Sequence, residues 1–131
     1  MTRTAVATTA APAAPAALGP YSQAIVAQGL VFCSGMPGIE PATGSVPDGI
    51  EAQTEQALRN LEAVLTAAGS SLSQLVKTTI FYADVADFPA LNAVYERFMP
   101  VPPPARSAPA NVRLPRGLLV SIEAIAAVDS P

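Results

Sequence analysis

The sequence predicts an α/β (α+β) domain of two layers: a mixed, six-stranded-type sheet with two helices on one face, in the order β-β-α-β-α-β-β. Three observations carry this. Ile50, Ala57, Leu58, Leu61, Val64, Leu65 and Ala68 recur at helical spacing and form one apolar stripe. Phe88, Leu91, Val94/Tyr95 and Phe98 form a second, shorter stripe behind Asp84, Asp87 and Pro89, residue types that open helices. Short apolar runs bounded by glycine and proline flank both helices, and they are too short to be helices themselves. With 131 residues, half of them apolar, the chain is sized for one domain around one core.

Taken in order, residues 2–17 are, apart from Val6, Ala, Thr and Pro with one charge, Arg3. Pro12 and Pro15 interrupt the weakly apolar tract, so no secretory signal is read and a disordered arm is expected, with the domain spanning 18–131. Cytoplasmic location follows by default. Gly19-Pro20 marks a turn, Gln23–Ala27 a short strand, Gln28-Gly29 a hairpin break, and Leu30–Ser34 a continuously apolar, central strand. Gly35 to Pro47 is a loop by its glycines and prolines. Asp48 is expected to cap the first helix, with Glu51 completing an Asp version of the capping box, and Gly69 is expected to close it at C′.

Leu75–Tyr82 reads as a strand with Val76, Thr78, Ile80 and Tyr82 on one face and Lys77, Thr79 and Phe81 on the other. After the second helix, Met99–Pro104 is too rich in proline for helix or central strand and reads as an extended connector. Two strands close the chain, Ala105–Val112 and Leu118–Ala126, with a turn at Leu114–Gly117. No third helix is available to cover the second sheet face, so oligomerisation is expected to do so.

Composition excludes several functions. Net charge is −3 and the seven basic residues form no stripe, which argues against nucleic acid as a partner. No run of about 18 apolar residues suggests a membrane span. Charged residues are only 13% of the chain, through burial in an oligomer, through the abundance of alanine, or both. There is no histidine and one cysteine, Cys33, so Ser-His-Asp and Cys-His catalysis and an intrachain disulfide are excluded and a transition-metal site is disfavoured. Cys33, inside an apolar strand, reads as a buried thiol rather than a reactive one. Lys77, the only lysine, reads as a strand-face charge rather than a Schiff-base nucleophile.

The residue that remains as a ligand anchor is Arg106. Its guanidinium is always charged and offers a rigid fork that matches a carboxylate at two points. Pro104-Ala105-Arg106-Ser107 places it on a strand beside the apolar run 118–127.

With these elements in place, the chain resembles the reactive-intermediate deaminase (Rid/YjgF) family over about Ala14 to Ala127. The resemblance rests on Ala17–Ala24, Ser34-Gly35, Pro41-Ala42-Thr43-Gly44, Val76–Thr79, Asn92 with Tyr95-Glu96, Pro104–Ser107, and Leu114-Pro115 leading to Ile122–Ala126. It implies a chorismate-mutase-like fold assembled as a homotrimeric barrel, with clefts between subunits. It also implies hydrolysis of enamines and imines such as 2-aminoacrylate to 2-keto acids and ammonia, without metal or organic cofactor. Arg106 corresponds to the arginine that clamps the substrate carboxylate. Tyr21, Ser34, Gly35 and Asn92 fall at pocket positions.

The chain departs from the pattern in three places. Deaminating members typically read Val-Glu-Ile-Glu in the last strand, the first glutamate serving the attacking water; here the run is Val120-Ser121-Ile122-Glu123. Ser121 and Glu123 would share a face about 6.5–7 Å apart, so Glu123 points the right way but one step too far along. Ala108 stands where cysteine is common, and Met36 where glutamine is common. The expected site therefore comprises Arg106, Tyr21 and Ser121 as catalytic groups, with Ser34, Gly35, Asn92, Ala108 and Glu123 around the ligand. Two functions fit: a deaminase whose water is held by Tyr21, Ser121 or a backbone carbonyl, and a non-hydrolytic trimer that binds a small carboxylate or acts on another imine. A third, endoribonuclease or translation inhibitor, fits worst with the acidic composition and the missing histidine.

Overall fold

A computed structural model of the chain describes residues 2–12 and 19–129. Six strands form one mixed sheet: β1 (Thr4–Val6), β2 (Ala24–Ala27), β3 (Leu30–Pro37), β4 (Leu75–Tyr82), β5 (Ala105–Ser107) and β6 (Val120–Ala127), in the spatial order β1-β2-β3-β6-β4-β5. Two helices, α1 (Ile50–Ala67) and α2 (Phe88–Phe98), pack on each other, and α1 lies across β3 and β6. β6 runs antiparallel to both of its neighbours, and β5 is parallel to β4 because α2 supplies the crossover.

The core lies between sheet and helices. Leu58, Leu61, Val64 and Leu65 of α1 are fully buried against Val31, Ile80 and Ile122, as the stripe predicts. The opposite sheet face carries Phe32, 43% exposed, with Lys77, Thr79, Phe81, Ser121, Glu123 and Ile125 at most half-buried. No helix is long and apolar enough to cross a membrane among the described residues.

The turns follow local chemistry. Gln28 (φ 55°) and Gly29 (φ 74°) form the two-residue loop between β2 and β3, with Ala27 paired to Leu30, the arrangement of a type I′ hairpin. Gly69 (φ 81°) ends α1 in a Schellman motif: its N–H donates to Thr66 O (3.1 Å) and Ser70 N–H donates to Leu65 O (2.8 Å).

Four expectations are corrected. The stretch expected to be a disordered arm contributes β1, paired antiparallel to β2 through Thr4↔Val26 and Val6↔Ala24. Its anchor is Gln23, 5% exposed, whose Oε1 accepts from Thr8 N–H (2.7 Å) and whose Nε2 donates to Thr8 O (3.1 Å) and Pro12 O (2.8 Å). Residues 13–17 of that expected arm lie outside the described residues. The helix cap is Gly49 (φ 87°) rather than Asp48, with no side-chain capping bond, because the chain turns one residue later and the glycine accommodates the positive φ. Val76 does not share the buried face of Thr78, Ile80 and Tyr82: a register shift between Leu75 and Lys77 turns it out, 49% exposed. β5 stops at Ser107 rather than Val112, since Pro109 has no N–H to continue a ladder and Asn111 takes φ 60°. The segment stays alongside β4 through Val112 N–H to Tyr82 O (3.0 Å).

Candidate functional site

Two groups of the expected site residues are held by different parts of the fold. The first surrounds a cleft of about 350 Å³. Tyr21, Gly35 and Ser121 line it, with Glu40 on one loop and Leu114 and Arg116 on another. Met36 adds an apolar wall.

A break in the β3–β6 ladder shapes this cleft. Cys33 pairs with Ala124 and Met36 with Ile122, so Ser34-Gly35 bulges opposite Glu123. The bulge brings Gly35 against Ser121: a Cβ on Gly35 would lie 2.6 Å from Ser121 Oγ. Ser34 does not line the cleft. Its hydroxyl donates to Ser22 O (2.6 Å) and its N–H to Gln23 O (2.9 Å), so it fixes the segment that carries Tyr21.

The loop bearing Glu40 is fastened from below. Asn60, 1% exposed on the apolar side of α1, donates to Pro37 O and Ile39 O, both at 2.8 Å. Gly38 lies so close to the Gln53 backbone that any side chain would overlap it. Gln53, also buried, donates to Pro47 O (3.1 Å) and accepts from Leu119 N–H (2.9 Å), tying this loop to the start of β6.

The second group surrounds Arg106. Its Nη1 donates to Asn92 Oδ1 (2.7 Å), and its guanidinium lies 5.0 Å from the Tyr95 ring centre and 5.5 Å from that of Phe88. These contacts hold the fork by hydrogen bonding and cation–π attraction. Tyr95 is itself fixed by a 2.6 Å hydrogen bond between its hydroxyl and that of Thr78. Burial pushes the Tyr95 phenol up from its usual range, with the Thr78 bond and the Arg106 charge opposing. Among the described residues no carboxylate lies within ion-pair distance of Arg106, so its charge is available to a ligand.

Arg106 pairs with Thr78, whose side chain is buried on the helix side of the sheet; Ser121 pairs with Phe81 on the other face. β4 also stands between their strands. A single chain therefore does not bring Arg106 and Asn92 to the cleft of Tyr21, Gly35 and Ser121. Ala108 packs half-buried against the core, outside the cleft. Glu123 is exposed and opens on a separate depression of about 170 Å³ with Lys77 and Phe32. Cys33 is buried, and burial alone raises its thiol to about 12, which leaves it protonated and unreactive.

Sequence reasoning missed Gln23, Gln53, Asn60 and Glu40. Two of them carried a signal: Gln53 and Asn60 interrupt the apolar stripe of α1, and a polar residue on a buried stripe must find partners. Glu40 carried none, because a charged residue in a glycine- and proline-rich loop reads as solvated surface.

The family model described as Endoribonuclease L-PSP matches residues 11–128. Reactive Intermediate Deaminase A, chloroplastic, of Arabidopsis thaliana is 51% identical over 114 residues, covering 86% of this chain; the chain spans only 61% of that longer protein. The 2-iminobutanoate/2-iminopropanoate deaminase of Mus musculus is 45% identical over 114 residues, 86% of this chain and 84% of that one. The crystal structure of TdcF from E. coli with bound serine superposes with a TM-score of 0.89 at 34% identity, covering 96% of this chain and 99% of that one.

Proposed function

The chain belongs to the Rid/YjgF family, and we propose that it is an imine/enamine deaminase that converts small 2-imino acids of the 2-iminopropanoate type to 2-keto acids and ammonia. The observation that carries this reading is Arg106: a guanidinium oriented by Asn92 and two aromatic rings, with no carboxylate partner among the described residues. An imine carbon is already electrophilic, so the protein needs to hold the carboxylate, present a water and manage protons. Arg106 holds the carboxylate through two parallel hydrogen bonds. Tyr21 and Ser121 offer hydroxyls to the water.

The two halves meet between protomers of a homotrimer. The opposite placement of Arg106 and Ser121 supports this, because a ligand of a few atoms cannot touch both within one chain. The uncovered sheet face around Phe32 supports it too, since an exposed apolar strand face is costly in a lone domain. RNA cleavage is disfavoured by net charge −3 and by the absence of histidine.

Ser121 favours a second reading, a trimer that binds a small carboxylate without hydrolysing it, since a serine hydroxyl without a neighbouring histidine is a poor base. The two readings separate on one assay: the rate at which purified protein clears 2-iminopropanoate generated in situ.

A further inference from the structure

Hydrolysis of an imine needs a group that takes a proton from the attacking water. Neither hydroxyl in the cleft, Tyr21 or Ser121, is a base near neutral pH. Among the described residues that line the cleft, one carboxylate is present: Glu40.

Three features of Glu40 distinguish it from an ordinary surface acid. Its backbone is fixed on both sides. Asn60 holds the carbonyl of the preceding Ile39, and a tight loop closes through Glu40 N–H to Ser45 O and Gly44 N–H to Glu40 O, both 2.8 Å. It shares the cleft with a cation it does not pair with: Arg116 donates to Gly44 O (3.5 Å), and no ion pair to Glu40 forms among the described residues. It also lines the same cleft as Ser121 and Tyr21, which brings a carboxylate and two hydroxyls to one small volume.

Resting on the deaminase reading, we infer that Glu40 is the catalytic base of this cleft, doing from the loop after β3 the work that the β6 serine cannot do. The Glu40 carboxylate takes a proton from water as the water oxygen bonds to the imine carbon, and the C=N bond becomes a single bond in a carbinolamine. Glu40 returns that proton to the nitrogen, then takes the proton of the new hydroxyl and delivers it to the nitrogen as the C–N bond breaks, so the carbonyl forms and ammonia leaves. The carboxylate returns to its starting state, and the sum is imine plus water to keto acid plus ammonia.

The test compares wild type, Glu40→Gln and Glu40→Asp in the clearance of 2-iminopropanoate made in situ, with pyruvate binding measured by calorimetry. Glu40 is exposed, so Gln is expected to fold normally, and a thermal melt checks this. The expected result is a fall in kcat of about 10²–10⁴-fold in Glu40→Gln with pyruvate affinity unchanged. Glu40→Asp should recover part of the rate. A Glu40→Gln protein with wild-type rate overturns the inference and leaves the deaminase reading standing. A wild type no faster than buffer overturns both.

Discussion

Gly35 and Ser121 face each other across the bulged β3–β6 ladder with no room for a methyl group between them, since a Cβ on Gly35 would stand 2.6 Å from Ser121 Oγ. The next nearest atom, Ser121 Cβ, would be 3.9 Å away, an ordinary contact. The clashing oxygen ends a side chain that can turn about χ1, so Gly35→Ala is expected to cost no more than about 1 kcal/mol. Ser121→Ala, which removes only the clashing oxygen, should recover most of that. A double-mutant cycle in urea measures the coupling; additive effects would show that the clash is relieved elsewhere.

Arg106 is oriented as well as charged. Asn92→Ala removes its 2.7 Å hydrogen bond while leaving the guanidinium in place, so affinity for a 2-keto acid should fall about fivefold, in line with about 1 kcal/mol for one such bond. Arg106→Lys keeps the charge but loses the fork and the packing on Tyr95 and Phe88, and should bind more weakly than Asn92→Ala. Calorimetric titration with pyruvate ranks the three proteins.

Asn60 and Gln23 hold the two segments that wall the cleft from inside the protein. Asn60→Ala leaves Pro37 O and Ile39 O without their donor, and Gln23→Ala frees residues 8–12. Each is expected to lose about 1–3 kcal/mol of stability. Hydrogen exchange should localise the first effect to residues 37–45 and the second to the β1 edge.

Cys33 gives the protein a high-pH stability limb. Its thiol is raised from 9.0 to about 12 by burial, so above pH 9 the unfolded chain releases a proton that the folded chain keeps. The unfolded state then binds fewer protons, and stability falls with rising pH between about 9 and 12. Cys33→Ala should flatten that limb in urea titrations at pH 8 and 10. The native thiol should also resist a disulfide reagent at pH 8 until the protein is unfolded.

A carboxylate at position 121 is expected to stand in for the one at position 40. Ser121→Glu places a carboxylate in the same cleft, and in a Glu40→Gln background it should restore imine clearance by at least tenfold, read by the same in situ assay.

Much of this architecture is legible in the residues because local chemistry and tertiary structure agree there. The apolar stripe of α1, the Gly69 terminus and the Gln28-Gly29 hairpin are each decided within a few residues. The misses are positions where distant partners decide. β1 looks like a featureless alanine-threonine tract until β2 pairs with it and Gln23 binds the Thr8 and Pro12 carbonyls that follow it. Val76 fits the alternation of β4 until a bulge turns it out. Arg106 is recognisable as an anchor from its neighbours, but which face it serves depends on its pairing with Thr78 and its packing on α2. Glu40 becomes a cleft residue only when Asn60 draws its loop down beside β6.

The most direct measurement compares wild type with Arg106→Ala in clearing 2-iminopropanoate generated in situ, at equal protein concentration and with the fold confirmed. Clearance well above the buffer rate is expected for wild type and close to that rate for Arg106→Ala. A wild type indistinguishable from buffer, or an Arg106→Ala protein as fast as wild type, would contradict the deaminase reading.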